Sequence, residues 1–157
     1  MYIIQEGDVF DYWFEGKKVA NIAHGCNAVG LMGAGIAKTI AGNYPDNYKA
    51  YKKACNNGSF VNDMVLPWTD GETTIYNLYT QFQPGNNAKV HLIHMAVCAM
   101  IEHANEGDII VMPAIGCGIG GLYLHQVVSV ISQAEKQFNK GVELHMIANY
   151  KAGRTEG

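Results

Sequence analysis

Two glycine-rich stretches, each set between an apolar run and an amphipathic one, constrain this 157-residue chain more than any other feature. The first runs His24-Gly25-Cys26-Asn27-Ala28-Val29-Gly30-Leu31-Met32-Gly33-Ala34-Gly35-Ile36-Ala37, at the end of the small, apolar residues 18–26. The second runs Pro113-Ala114-Ile115-Gly116-Cys117-Gly118-Ile119-Gly120-Gly121-Leu122, at the end of the apolar run 109–116. A strand, a glycine loop and a helix start together make an anion site. Glycine lets the backbone approach closely, the first helical amides lack partners, and the helix dipole favours negative charge. Two such loops at equivalent positions suit a ligand with two linked phosphates; tight turns made for packing are the alternative. Two rival phosphate patterns fit poorly. A P-loop needs a lysine and a hydroxyl residue after its last glycine, and Ile36 and Ala37 stand there. The string Gly116, Gly118, Gly121 matches GxGxxG but comes late, with no acidic residue about 20 positions on.

The rest of the chain alternates strand-like and helix-like segments. Residues 2–4, 18–26, 63–68, 73–79, 109–116 and 142–149 read as strands, with Asp70-Gly71 turning a hairpin. Residues 33–42, 45–55, 88–104 and 122–138 read as helices. Gly42 is placed as the stop of the first, Pro45 as the start of the second, and Gly107 as the cap of the third. In the third, Ile93, Ala96, Val97, Met100, Ile101 and Ala104 share one face; in the fourth, Leu124, Val127, Val128, Ile131, Ala134 and Phe138 do. The alternation predicts a layered α/β domain with a largely parallel sheet covered on both faces, over residues 1–157 as one domain. In such a sheet ligands bind at the carboxyl ends of the strands, where both glycine loops fall.

Charge and cysteine content narrow the function classes. A net charge of −3 does not supply the positive field of a bulk nucleic-acid binder. No apolar run reaches the length of a membrane span, and Met1–Phe10 does not read as a signal peptide. Cys26, Cys55, Cys98 and Cys117 form no CxxC pair and read as reduced thiols, which points to the cytoplasm. No apolar stripe is left over for a partner, so a monomer is expected. His91 and His94 lie one turn apart on the third helix but lack a carboxylate or thiol partner, so no metal is expected.

These loops resemble those of the macro domain family, whose members bind ADP-ribose. Gly7-Asp8-Val9 resembles the family's early GD[IV] motif, and residues 24–27 with Gly33-Ala34-Gly35-Ile36-Ala37 its first ligand loop. Tyr44-Pro45 and residues 48–55 are similar to the helix that follows, and Pro113–Leu122 to the second, phosphate-holding loop. The resemblance covers nearly the whole chain. It implies a three-layer α/β/α fold with a mixed, largely parallel central sheet of about six strands. Within the family the chain is most similar to the ADP-ribose-1″-phosphate phosphatase branch. It also resembles the branch that removes ADP-ribose from protein carboxylates or DNA bases. That branch uses a lysine where this chain has Gln81, and some members carry an aspartate where it has Gly120. Both departures count against lysine-dependent chemistry.

The resemblance assigns roles residue by residue. Asp8, with Val9, is expected to contact adenine, and Asn149 and Tyr150 to flank it. The amides of Gly33, Ala34, Gly35, Ile36 and Ala37, and of Ile115, Gly116, Cys117, Gly118, Ile119, Gly120 and Gly121, are expected to hold the diphosphate. Asn27 is expected to orient the distal ribose. His24 is the expected catalytic residue, as nucleophile or as proton donor to the leaving oxygen. A helix N-terminus beside Cys117 would lower its pKa, but Cys117 reads as a small packing residue, because the family does not use that thiol for chemistry. The expected reaction is hydrolysis of ADP-ribose 1″-phosphate to ADP-ribose and phosphate, without cofactor. Binding of ADP-ribose without turnover, and hydrolysis of O-acetyl-ADP-ribose or ADP-ribosyl-glutamate, are the alternatives.

Overall fold

The computed structural model describes residues 1–157 and is built on a six-stranded sheet. In chain order the elements are β1 (Tyr2–Gly7), β2 (Tyr12–Phe14), β3 (Lys17–Lys18), β4 (Asn21–Cys26), α1 (Gly35–Asn43), α2 (Pro45–Asn56) and α3 (Ser59–Asp63). These are followed by β5 (Val65–Thr69), β6 (Thr74–Tyr79), α4 (Val90–His103), β7 (Ile109–Pro113), a 3₁₀ turn (Gly118–Gly120), α5 (Leu124–Lys136), β8 (Glu143–Tyr150) and β9 (Thr155–Glu156). The main sheet has the order β1-β8-β7-β4-β6-β5. Its first five strands run parallel, and β5 pairs antiparallel with β6 at the edge. Parallel neighbours demand crossovers, and the helices supply them.

Side chains alternate between the two faces of each strand, and each face finds its own helices. Ala23, Tyr76, Leu78, Ile110, Met112, Leu144 and Met146 pack against α4 and α5, through Ile93, Val97, Met100, Val127 and Ile131. On the other face Ile22, Ile75, Val111 and Ile147 pack with Ile40 of α1. Cys26 and Tyr79 pack there with Tyr51 of α2 and Phe60 of α3. The expected inward face of α4 is buried throughout. On α5, Leu124 is the exception: it opens the helix and is exposed.

Three local features depart from the sequence reading. Gly42 lies inside α1 and does not stop it; the turn at Tyr44, ahead of Pro45, does. The short helix α3 was not anticipated, and it closes on Met64 in the left-handed region, φ 69°. A second, three-stranded sheet β3-β2-β9 forms at the β1 edge because the C-terminal segment returns there. Lys151 N donates to Gly7 O and Thr155 N to Asp11 O, and Arg154 lies over the Trp13 ring at 4.0 Å.

Candidate functional site

Both glycine loops leave the carboxyl ends of neighbouring strands, β4 and β7, and open onto one cavity of about 460 Å³. Gly33–Ala37 form one wall and Pro113–Cys117, Ile119 and Gly120 another. Thr80, Gln81, Pro84 and Gly85, which follow β6, also line it, with Asn27 and Leu31. Among all the lining residues there is no lysine, arginine, aspartate or glutamate. Electropositive character therefore comes from backbone amides alone.

The start of α1 supplies one set. Its N-cap is Ala34, which has no side chain to cap the first turn, so the first helical amides face the cavity without a protein acceptor from that residue. Gly35 holds φ +59°, which turns the chain into the helix at this point. The second loop supplies the other set, but part of it serves its own turns. Cys117 N donates to Ala114 O, and Gly121 N to Gly118 O, both at 3.1 Å. Gly116 has φ +77°, a conformation that favours glycine, and a Cβ there would lie 2.8 Å from Ile93 Cδ1, which would have to shift. Cys117 is half-buried against the α4/α5 core, and burial raises its thiol pKa, the reverse of the lowering expected from a helix start.

Asn27 organises the first loop. Its Oδ1 accepts from Val29 N (3.0 Å) and from the Tyr51 hydroxyl (2.8 Å), and its Nδ2 donates to Leu31 O (2.8 Å). Tyr51 is wholly buried on α2, and burial holds its hydroxyl protonated. This tether between loop and helix is a contact that sequence spacing did not reveal.

His24 borders the cavity floor, but it is only 1% exposed. Its Nε2 lies 2.7 Å from Asn77 Oδ1. Asn77 Nδ2 donates to Leu66 O (2.9 Å) and to Asn47 Oδ1 (2.8 Å), and Asn47 Nδ2 returns a bond to Asn77 Oδ1. The Leu66 carbonyl thus fixes which way the Asn77 amide faces. The oxygen must meet His24, so Nε2 carries the proton and Nδ1 holds the lone pair; the Cys26 thiol lies beside the ring, 3.4 Å from Nε2 and 3.8 Å from Nδ1. Burial lowers the His24 pKa to about 4, with the Asn77 bond opposing in part. The expectation of an available nucleophile or proton donor meets a buried, neutral, hydrogen-bonded ring. An asparagine facing inward from the apolar strand 73–79 was the sequence signal for this network.

Asp8, Val9, Asn149 and Tyr150 come together at the carboxyl ends of β1 and β8, where Gly7 pairs with Tyr150, but none of them lines the cavity. Asp8 Oδ1 accepts from Phe10 N (2.8 Å) and Oδ2 from Gly153 N (3.0 Å), so its carboxylate already holds the returning C-terminal segment. Val9 is buried in the core. Asn149 donates to Gln5 O. Tyr150 is 47% exposed and meets Phe10 edge-on at 6.2 Å. Away from this edge, His94 pairs with Gln137, and no group of three or more His, Cys, Asp or Glu is arranged to hold a metal. No helix is long and apolar enough to cross a membrane.

A parallel sheet carrying two glycine loops around an amide-lined cavity agrees with the family comparison, in which the Macro domain profile matches residues 23–131. The chain belongs to the macro domain family. This macro domain is 32% identical over 134 residues to the uncharacterized 17.5 kDa protein in the tk-vs intergenic region of enterobacteria phage T4, covering 73% of this chain and 77% of that protein. It is 32% identical over 117 residues to the DNA ADP-ribosyl glycohydrolase of Mycobacterium tuberculosis, covering 71% of this chain and 33% of that protein. With the Thermus aquaticus enzyme of the same name it shares 28% identity over 124 residues, covering 75% of this chain and 34% of that protein. The macro domain thus spans about one third of the length of these glycohydrolases. Among solved structures, the macrodomain of M. tuberculosis DarG superposes with a TM-score of 0.79 at 24% identity, over 98% of this chain and 99% of that one. That likeness establishes the fold. These named relatives are glycohydrolases, and the likeness does not single out the phosphatase branch.

Proposed function

We propose that residues 1–157 act as one macro domain that binds ADP-ribose and hydrolyses the bond at C1″ of its distal ribose. The observation that carries this reading is the uncharged cavity walled by the uncapped start of α1 and by residues 113–117, 119 and 120 of the second loop, with Gly118 and Gly121 outside the lining. Backbone amides from two sides suit a diphosphate, and the same donors stabilise charge that develops on an adjacent leaving oxygen. The adenine end lies over Asp8 and Tyr150, and the distal ribose lies between Asn27 and the Thr80–Gln81 shelf. Asn27, tied down by Tyr51, fixes the loop on which the sugar rests. His24 acts in this reading as a positioning residue, locking the end of β4 through Asn77. The names of the glycohydrolase relatives support cleavage at C1″. The phosphate ester expected from the sequence is less favoured in this reading, because burial keeps the His24 ring, which borders the cavity, neutral.

A second reading, binding without turnover, is favoured by one specific feature. His24, Cys26 and Cys117 are the ionisable residues of the lining, and burial holds each in its neutral form. Calorimetry with ADP-ribose tests the shared claim. ³¹P NMR of ADP-ribose 1″-phosphate, run beside chromatography of an ADP-ribosylated glutamyl peptide and an ADP-ribosylated oligonucleotide, separates the two readings. Release of ADP-ribose from any of the three supports the hydrolase. Tight binding with no release from any of them leaves the binding module.

A further inference from the structure

Gln81 follows β6, and its amide is oriented by the protein itself. Nε2 donates to Gln83 O at 2.7 Å and to Gly85 O at 2.9 Å. Both N–H groups are engaged, so the amide cannot flip and Oε1 must point the opposite way. On that side it faces Gly120 of the second loop: a Cβ on Gly120 would lie 3.4 Å from it. Gln81 and Gly120 both line the cavity. Oε1 is therefore a fixed, neutral acceptor on a residue that lines the cavity. Its neighbours there, Asn27, Leu31, Thr80, Pro84 and Gly85, carry no charge.

We propose that Gln81 makes the distal end of the cavity selective for an uncharged, hydrogen-bond-donating group on the ribose, and against a phosphate monoester. The proposal rests on the ADP-ribose reading and names the class of group that site takes. A hydroxyl or N–H at C1″ donates to Oε1. A phosphate at neutral pH offers only lone pairs to that oxygen, and no cation lines the cavity to offset the repulsion. The clamp on residues 83–85 holds the acceptor in place before a ligand arrives, so little side-chain freedom is lost on binding. The same clamp makes Gln81 a positioning residue for the wall formed by Pro84 and Gly85.

The test is calorimetric titration of the full chain with ADP, ADP-ribose and ADP-ribose 1″-phosphate, for the wild type, Gln81→Met and Gln81→Lys. The wild type is expected to bind ADP-ribose about ten-fold or more tightly than the 1″-phosphate, the scale of one hydrogen bond exchanged for one repulsion. Gln81→Met keeps the length without polar atoms, and the gap narrows. Gln81→Lys can still donate to both carbonyls but replaces the acceptor with a cation, and the order inverts in favour of the 1″-phosphate. Equal wild-type affinities, or a gap unchanged in both variants, overturn the proposal while leaving ADP-ribose binding intact. If the wild type binds none of the three ligands, the ADP-ribose reading falls, and the selectivity falls with it. Should either variant fail to fold, the wild-type comparison alone decides.

Discussion

Acidification should destabilise this macro domain through His24, and the size of the effect follows from where the ring sits. In the folded chain burial holds the pKa at about 4, whereas an exposed histidine titrates near 6.5. Between these values the unfolded chain binds the proton more readily, so stability is full above about pH 6.5 and falls as pH drops toward 4. The slope approaches about 1.4 kcal/mol per pH unit, and from pH 7 to pH 5 the loss attributable to this one ring is about 2 kcal/mol. His24→Gln removes the titration while keeping an amide donor that can reach Asn77 Oδ1. Urea unfolding at pH 7, 6 and 5 should show the wild type losing about 2 kcal/mol more than the variant over that interval. The buried His145 is shifted the same way by burial, but it is common to both proteins and cancels in the comparison. Parallel profiles for the two proteins would mean that His24 titrates normally. The ring would then be accessible, and a direct catalytic role would return.

Asn77→Leu strands the His24 Nε2–H, the Asn47 amide and the Leu66 carbonyl at once; urea unfolding should register a loss of about 3 kcal/mol or more, and a loss under 1 kcal/mol would show the network to be dispensable. Gly116→Ala forces a Cβ against Ile93 at φ +77°, and should lower stability by about 1–3 kcal/mol and weaken ADP-ribose binding in calorimetry more than a distant substitution of equal cost. Lys140 Nζ donates to the carbonyls of Ile101, Glu102 and Ala104 at the end of α4, so Lys140→Met should cost about 1–2 kcal/mol in thermal unfolding, with ADP-ribose affinity unchanged.

The order of strands and helices was legible in the sequence because burial on two faces leaves a periodic trace. The α4 face from Ile93 to Ala104 and the apolar run that becomes β7 are examples. The two glycine loops were legible for a local reason: a strand end, a left-handed turn and a helix start must be written in consecutive residues. Together they determined a parallel α/β domain with an amide-lined anion site at the carboxyl edge of the sheet. Tertiary structure decided the rest, because it depends on partners far apart in the chain. Asn77 lies 53 positions from His24, yet it fixes how the ring is held, while burial, opposed in part by that bond, keeps the ring neutral. Gly153 lies 145 positions from Asp8, yet its amide bonds one carboxylate oxygen and ties Asp8 to the C-terminal segment. Only folding brings Gln81 opposite Gly120. Sequence spacing reports what a residue can do, and the choice among those options is made by the hydrogen-bond partners the fold delivers.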